Sequence, residues 1–169
     1  MEIRRLTSAD APAYRMVRLA GLQEMPTAFA SSYEDERGWP LSTYEKRLDT
    51  KPDRGTFGAF DGPKLIGIVT LVRESMPKLM HKAHIVGMYV LPEARGLSAG
   101  RNLLHYAVDL ARSIPEIRQL NVSANAANAP ALRLYESAGF QVFGRERESL
   151  CIDGELHDEL HLALSLARD

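Results

Sequence analysis

Residues 84–111 constrain the fold of this chain most, because a strand, a loop of small residues and a helix follow one another there without interruption. Residues 84–90 are apolar at both alternating positions, a pattern typical of a central strand covered on both faces. The helix after the loop ends before Pro115 and has an apolar stripe at helical spacing. The stripe consists of Leu103, Leu104, Ala107, Val108 and Ala111. This order predicts a crossover to a further strand of the same sheet.

Two Asp-Gly pairs, Asp61-Gly62 and Asp153-Gly154, predict antiparallel hairpins on either side of this crossover. The pairs separate residues 56–60 from 64–72, and residues 140–152 from 156–166. Apolar and polar side chains alternate over residues 120–124, as they do in a strand with one polar face. A further strand is expected over residues 3–6.

Capping signals bound the remaining helices. Ser8 is the expected N-cap of a helix over residues 9–23, and Ser42 of a shorter helix that ends near Asp49. Asn128 is the expected N-cap of a helix that Gly139 ends. Together these elements predict one α/β (α+β) domain over residues 1–169. Its mixed, mostly antiparallel sheet of about seven strands should have helices on both faces.

Composition limits the partners of this domain. A net charge of −1 provides no global field toward nucleic acid or an anionic membrane, so neither is expected as a partner. No apolar run reaches the roughly 18 residues that a membrane-spanning helix needs. The single cysteine, Cys151, excludes an internal disulfide and fits a reducing cytoplasm. The oligomeric state stays open, with a homodimer as one alternative.

The loop Arg95-Gly-Leu-Ser-Ala-Gly-Arg101 has two interpretations. It could be a tight connection and nothing more. It could also hold an anion, because the N-terminus of a helix has N–H groups without intrahelical partners and carries a partial positive charge. Small residues allow a phosphate to approach those donors closely, and an arginine at each end adds charge.

Two longer motifs resemble the GNAT superfamily of N-acetyltransferases. Residues 89–104, YVLPEARGLSAGRNLL, resemble its cofactor motif, Arg/Gln-x-x-Gly-x-Gly/Ala after a strand that ends Tyr-Val-x-Pro. Residues 128–140, NAPALRLYESAGF, resemble its second motif, Asn-x-x-Ala-x-x-Leu-Tyr followed by Gly-Phe. The element order fits this superfamily over nearly the whole chain, and the fit is weakest from Met25 to Arg54.

The resemblance implies acetyl-CoA as acetyl donor, and it implies a place for each part of this cofactor. The pyrophosphate should lie on the N–H groups of Arg95, Gly96, Leu97, Ser98, Ala99, Gly100 and Arg101. The pantetheine arm should run along Met88, Tyr89 and Val90 as an added strand, where this strand and the next one splay apart. A main-chain N–H near Met88 should polarise the thioester carbonyl, and Asn128 should bond the cofactor arm.

Tyr135 has a catalytic and a structural interpretation. A positioned phenol can protonate the thiolate that leaves when an amine attacks a thioester, and the second motif implies this role for Tyr135. On the residues alone, a core tyrosine on the inner stripe of its helix is the better interpretation.

The general base is less defined. A lysine-like amine is neutral in only about one molecule in a few thousand at pH 7, so the need for a base depends on the acceptor. His84 is the best-placed titratable residue on its strand, on the same parity as Val86, Met88 and Val90. Histidine titrates in the useful range. A structural histidine at the entrance of the strand is nevertheless favoured.

Ser98 stands where the superfamily pattern has its first loop glycine. A positive φ at this position would strain a serine by about a kilocalorie per mole or more. An ordinary backbone would instead let Ser98 cap the helix and offer its hydroxyl to a phosphate. The second alternative is favoured, because Gly96 and Gly100 still keep the loop open.

The expected function is direct transfer of an acetyl group from acetyl-CoA to a primary amine of a small molecule. One alternative acceptor is a peptide or protein amine, and a different class of function is a CoA-binding module without turnover. The acceptor pocket is expected from Phe29, Ser32, Tyr33 and Trp39, together with the closing hairpin from Cys151 to Asp158.

The last strand contains two further polar groups with open interpretations. Asp158 could be a buried functional carboxylate, but a position at a bulge or at the wet end of the sheet is favoured. His157, Glu159 and His161 share one face, as metal ligands might. A solvated strand face is favoured for them, because no fourth ligand is near in the sequence, and no metal is expected.

Overall fold

Seven strands form one mixed sheet in the computed structural model, which describes residues 1–49, 51 and 53–166. The strand order is β1-β2-β3-β4-β5-β7-β6. Only β4 and β5 pair in parallel, and every other neighbouring pair is antiparallel. The strands are β1 Glu2–Arg5, β2 Arg54–Asp61, β3 Lys64–Arg73, β4 Lys82–Val90, β5 Gln119–Asn125, β6 Gln141–Ile152 and β7 Glu155–Ser165. The predicted fold class and both predicted hairpins are confirmed.

Five α-helices flank this sheet within the described ranges: α1 Ala11–Glu24, α2 Tyr33–Arg37, α3 Leu41–Leu48, α4 Ala99–Ser113 and α5 Ala129–Ser137. The apolar stripe of α4 packs with Leu120 and Leu162 in a core on one face of the sheet, and Tyr135 of α5 joins it. A second core, on the other face, joins Tyr14 of α1 and Tyr44 of α3 to Ile68. No helix within the described ranges is long and apolar enough to cross a membrane.

Both predicted N-caps in the first part of the chain were wrong. A short 3-10 turn, Ser8–Asp10, precedes α1, and Asp10 rather than Ser8 occupies the N-cap position of α1. The carboxylate of Asp10 accepts a hydrogen bond from the N–H of Thr7 (2.8 Å), which closes this turn. Pro40, rather than Ser42, occupies the N-cap position of α3. Ser32 caps α2, a helix whose five residues were too few to give a periodic pattern.

The parallel strands β4 and β5 form a fork, because they pair only from Lys82↔Gln119 to Ile85↔Val122. Beyond that position they separate. The exposed side chain of Val86 marks the opening, so the prediction of a strand covered on both faces was wrong for this half of β4.

A β-bulge at Gly87 also changes which side chains share a face of β4. Thr70 pairs with Val86 and Ile68 with Tyr89, so two residues of β4 oppose one of β3. Gly87 has φ +60°, which a glycine adopts without strain. His84 and Met88 therefore lie on opposite faces of the sheet. The prediction that His84, Val86, Met88 and Val90 share one face was wrong.

The closing hairpin contains bulges in β6, one of them between Glu146 and Leu150. Asp158 lies opposite this bulge. Its carboxylate accepts hydrogen bonds from the N–H of Glu148 (2.9 Å) and from Nε of Arg145 (2.7 Å). The prediction that Asp158 lies at a bulge is confirmed.

Candidate active site

A cleft of about 860 Å³ opens at the fork between β4 and β5. Ligand sites in proteins commonly enclose about 300–1,000 Å³. The lining includes Val86–Val90 of β4, Val122–Asn125 of β5, the loop before α4, α5, and part of α1 with the segment that follows it. The cleft thus connects the N-terminus of α4 with both faces of the sheet.

The open edges of the fork could bind an extended molecule. Beyond Ile85, the main-chain groups of β4 on the side of β5 have no strand partner in the part of the chain that the structure describes. Such groups can pair with an added strand-like ligand, because main-chain hydrogen bonds of this kind do not depend on the ligand's side chains. Met88, Tyr89 and Val90 line this part of the cleft, where the pantetheine arm is predicted.

The N-terminus of α4 presents free donors to the same cleft. The first intrahelical bond of α4 runs from the N–H of Asn102 to the carbonyl of Ser98 (2.9 Å). The N–H groups of Ala99, Gly100 and Arg101 therefore have no partner inside the helix. The Arg101 guanidinium also has no partner among the described residues. This arrangement can hold a phosphate.

Arg95 lines the same cleft, but its guanidinium is already bound to a carboxylate. Its guanidinium donates two hydrogen bonds of 2.8 Å to the carboxylate of Glu24 at the end of α1, and the hydroxyl of Tyr89 donates to the same carboxylate. The N–H of Arg95 already donates to Pro92, and that of Leu97 to Ala94. The prediction that Arg95 and Leu97 supply free phosphate donors was therefore wrong, because local turns and Glu24 engage them first.

Two asparagines flank the start of α5. Asn128 caps the helix as predicted, since its side-chain oxygen accepts from the N–H of Ala131 (3.2 Å). Asn125 was not predicted as a site residue. Its side-chain oxygen accepts from the N–H of Ala127 (2.8 Å), and its buried side-chain nitrogen has no partner among the described residues. Both residues line the cleft.

Tyr135 lies between the core and the cleft. Its side chain is 7% exposed, its ring contacts Phe140 edge-on, and its hydroxyl donates to the sulfur of Met88 at 3.9 Å. Burial raises the pKa of Tyr135 to about 12, so the phenol keeps its proton at neutral pH. Tyr135 is therefore a core side chain that also lines the cleft, and its role as the acid stays a prediction.

His84 lines the cleft on the other face of the sheet. Its Nε2 lies 2.9 Å from Oε1 of Glu74. His84 comes one residue before Ile85, the last β4 residue that pairs with β5, so it lies just inside the closed part of the fork.

Comparison with known proteins agrees with this geometry. A sequence model of the Acetyltransferase (GNAT) family matches residues 19–140. The chain belongs to the GNAT acetyltransferase family.

Relatives of this GNAT protein act on different acceptors. The chain is 32% identical over 117 residues to N-alpha-acetyltransferase RimI of Mycobacterium tuberculosis, a match that covers 69% of this chain and 70% of RimI. It is 28% identical over 116 residues to spermidine N(1)-acetyltransferase of Vibrio cholerae, which covers 68% of this chain and 65% of that enzyme.

Solved structures share the fold. A GNAT acetyltransferase from Streptococcus pneumoniae superposes with a TM-score of 0.83 at 21% identity, over 97% of this chain and 98% of that one. The structure of yncA from Salmonella typhimurium with its cofactor acetyl-CoA gives a TM-score of 0.81 at 20% identity, over 100% of this chain and 95% of that one. The protein is therefore an acetyltransferase with a GNAT fold, and acetyl-CoA is its cofactor.

The end of this GNAT cleft that Phe29 lines differs from the predicted acceptor pocket. Phe29 lines it as expected, but Ser32 caps α2, and Tyr33 and Trp39 pack against the second core. The closing hairpin from Cys151 to Asp158 lies outside the cleft, and the adjacent Glu159 lines it. No helix was predicted around Ser32, because α2 is too short to show helical periodicity.

Charged residues of this end come from three helices and two strands. Glu36 of α2 is fully buried and accepts hydrogen bonds from Arg18 of α1 (2.8 and 3.1 Å) and Arg47 of α3 (3.2 Å). Arg18 and Arg47 line the cleft together with Arg54 and Glu159. Three guanidinium groups and the carboxylate of Glu159 thus line this part of the cleft, and the carboxylates of Glu36 and Glu74 lie behind Arg18, Arg47 and His84.

Position 98 holds a serine where the GNAT pattern has a glycine, but its backbone has the conformation that a glycine would adopt. Its φ is +64° and ψ is 10°, a left-handed conformation, and its hydroxyl makes no capping hydrogen bond to α4. The favoured prediction of an ordinary backbone with a capping serine was therefore wrong. The sharp entry into α4 requires the conformation that a glycine adopts most easily.

Replacing Ser98 should relieve this strain. We expect Ser98→Gly to raise the free energy of unfolding by about 1 kcal/mol, because a left-handed conformation costs an L-residue about 1–2 kcal/mol. Acetyl-CoA affinity should stay equal or improve. Urea denaturation and calorimetric titration measure the two effects.

Gly96→Ser provides the reverse change as a control, since Gly96 has φ +83° in the same loop. It should destabilise the protein. Ser98→Leu should block the phosphate site by its bulk, and unchanged acetyl-CoA binding in this variant would contradict a phosphate site at the loop.

Proposed function

We propose that this protein transfers an acetyl group from acetyl-CoA directly to a primary amine of a small molecule, in a ternary complex within one domain over residues 1–169. One continuous cleft carries the proposal, because it joins the free N–H groups of α4 to the open fork and then to a polar recess. Cys151 is exposed and does not line this cleft, so no thiol is present for an acyl-enzyme intermediate.

The cofactor roles follow the course of the cleft. The pyrophosphate lies on the N–H groups of Gly96 and of Ser98 to Arg101, with the Arg101 guanidinium beside it. The pantetheine arm pairs with Met88, Tyr89 and Val90, and Asn128 bonds it near the start of α5. The thioester then lies in the fork, and Tyr135 protonates the thiolate that leaves.

The charges at the acceptor end favour an acceptor with an anionic or carbonyl oxygen near its amine. Among the described residues that line this end, Arg18, Arg47 and Arg54 face one carboxylate, that of Glu159, and this balance disfavours a polycation such as a polyamine. An amino acid or a similar small amine with a carboxylate fits this recess.

A second candidate acceptor is the α-amino group of a peptide or protein. Its support is the 32% identity to RimI of Mycobacterium tuberculosis, an N-alpha-acetyltransferase. A peptide N-terminus also presents a carbonyl oxygen close to its amine.

A screen of acetyl transfer to diverse amines tests the proposal, with release of free CoA as the readout. The panel pairs amino acids with the matching amines that lack the carboxylate, and adds polyamines and peptides with free or blocked N-termini. We expect turnover on carboxylate-bearing small amines. Turnover on free peptide N-termini alone would favour the second candidate, and no turnover on any amine would contradict both.

Cofactor binding should depend on salt. We expect the affinity for acetyl-CoA to fall as ionic strength rises, because its phosphates contact the positive end of α4 and Arg101. Arg101→Gln should weaken binding and reduce the salt dependence. Titration calorimetry with acetyl-CoA, with pantetheine that lacks the phosphates and with NAD measures these effects. Equal or stronger binding of NAD would contradict the assignment of the cleft.

A further inference from the structure

A chain of hydrogen bonds crosses three neighbouring strands at the edge of the cleft. Oγ of Ser123 on β5 lies 2.7 Å from Nδ1 of His161 on β7. Nε2 of His161 lies 3.0 Å from Oε2 of Glu146 on β6. Strand register causes the first contact, because Ser123 and His161 are direct antiparallel partners and point to the same face.

The carboxylate of Glu146 sets the direction of both hydrogen bonds in this network. An ionised Glu146 can only accept, so Nε2 of His161 must donate to it. The lone pair of a neutral His161 is then on Nδ1, and the hydroxyl of Ser123 donates to it. Ser123 Oγ is left with lone pairs that can accept a proton from another group.

Ser123 lies where such an acceptor group is useful. It directly follows Val122, the last β5 residue that pairs with β4, and it lines the cleft. His84 of β4 pairs with Asn121 of β5. Asn121 and Ser123 are two residues apart on β5, so the side chains of His84 and Ser123 lie on the same face of the sheet. Ser123 therefore lies at the opening of the fork, one step beyond the closed part that contains His84.

We propose that Ser123, His161 and Glu146 form a proton relay that deprotonates the acceptor ammonium. Ser123 is the catalytic residue of this relay, and His161 and Glu146 are positioning residues that act through it. The proposal rests on the acetyl transfer proposed above. It explains how a charged amine loses its proton, because only about one lysine-like amine in a few thousand is neutral at pH 7.

The proton transfers balance as follows. The ammonium gives a proton to Ser123 Oγ while the hydroxyl proton of Ser123 passes to Nδ1 of His161, and Glu146 stabilises the imidazolium. The nitrogen lone pair forms the C–N bond to the acetyl carbon, the C–S bond breaks, and the sulfur leaves with its electron pair. Tyr135 protonates the thiolate from the opposite face of the sheet. The second amine proton returns to Tyr135 through solvent, and His161 releases the first one.

Few other charged groups face His161. Glu159 shares its face, and its carboxylate accepts a hydrogen bond from Ser149 (2.6 Å). On β6, Arg145 is bound to Asp158, and the ring of Phe143 lies 6.1 Å from the imidazole. Asn121 and Asn125 on β5 are uncharged, and the Pro26–Ala28 turn that packs on β5 and β6 has no titratable side chain.

Kinetics of three variants test the relay. Ser123→Ala, His161→Gln and Glu146→Gln should each lower kcat/KM at pH 7, the first two by roughly 10²-fold. In the wild type, kcat/KM should rise with pH and then level off, because the relay supplies the base that the ammonium needs. In His161→Gln it should keep rising toward the pKa of the amine, so that the variant approaches the wild type at high pH.

Matched variants distinguish this relay from a base at His84 and from a general effect of losing a polar side chain. His105→Gln on the exposed face of α4 and Ser113→Ala at its end should leave the rate unchanged. His84→Ala should retain the levelling of the wild-type pH profile if His161 causes it. A profile that loses this feature in His84→Ala but keeps it in His161→Gln would overturn the relay and support His84 as the base.

A second measurement does not need an acceptor. Nitrogen-15 spectra of the histidine side chains should show neutral His161 protonated at Nε2 and bare at Nδ1, with Ser123→Ala shifting the Nδ1 signal. His161→Gln assigns the resonance. The opposite tautomer would overturn the relay even if acetyl transfer is confirmed, whereas failure to acetylate any amine would overturn the proposed function itself.

Discussion

Tyr135→Phe should lower kcat by roughly 10²–10⁴-fold while acetyl-CoA affinity stays nearly unchanged. The substitution removes one hydroxyl and almost no volume. Because burial raises the pKa of Tyr135 to about 12, the phenol holds its proton until a stronger base, the thiolate leaving in the fork, forms beside it. Single-turnover kinetics with an acceptor on which the wild type is active measure the chemical step directly.

The structural role of the Tyr135 hydroxyl should be small by comparison. Its partner is the sulfur of Met88 at 3.9 Å, a weak acceptor, so the stability change should not exceed about 0.5–1.5 kcal/mol. Tyr106→Phe on α4 is the matched control, because this side chain lies outside the cleft against Phe57. Wild-type kcat in Tyr135→Phe, with chemistry rate-limiting, would show that the thiolate leaves unprotonated or takes its proton from water.

Glu36→Ala should lower the free energy of unfolding by about 3–5 kcal/mol, because it leaves buried guanidinium groups without their carboxylate. Arg18 is 8% exposed and Glu36 is fully buried, so the substitution removes the carboxylate of a largely desolvated ion pair. The ion pairs join α1, α2 and α3, and their loss should also loosen the acceptor end of the cleft. Urea denaturation and thermal unfolding measure the change.

Glu34→Ala is the control for this prediction. Glu34 lies on the same helix and pairs with Arg37 at 2.7 Å, but both side chains are exposed. Removing an exposed pair should cost no more than about 1 kcal/mol. Equal effects of the two substitutions would contradict the importance assigned to the buried cluster.

The contribution of Glu36 should also depend on pH. Burial by itself would raise its pKa, but the hydrogen bonds and charges of Arg18 and Arg47 outweigh burial and lower it. A carboxylate with a lowered pKa in the folded state stabilises the protein above its unfolded pKa, about 4.3. This stabilisation is lost as pH falls through the lowered value. The acid side of the stability profile should therefore be flatter in Glu36→Ala than in the wild type.

The order of elements could be predicted because its signals are local. Asp61-Gly62 and Asp153-Gly154 produce hairpin turns whatever lies around them, and the stripe from Leu103 to Ala111 identifies α4 by spacing alone. The same holds for Asn128, whose capping bond reaches only three residues along the chain. Two motifs on these elements were enough to indicate the family.

Residue environments at the site depended on contacts that no local pattern contains. One extra residue at Gly87 places Met88 on the face opposite to His84, and alternation counted along the sequence cannot show this. Glu24 binds Arg95 from 71 positions away in the chain.

The sequence by itself determined the strands, the turns, the crossover helix and the loop at its start, because period and turn chemistry act over a few residues. Only the tertiary structure decided that Ser98 is left-handed, that Glu36 is buried between two arginines and that Ser123 meets His161 and Glu146. Strand register brings Ser123 and His161 together across 38 positions of the chain, and packing rather than spacing sets that register.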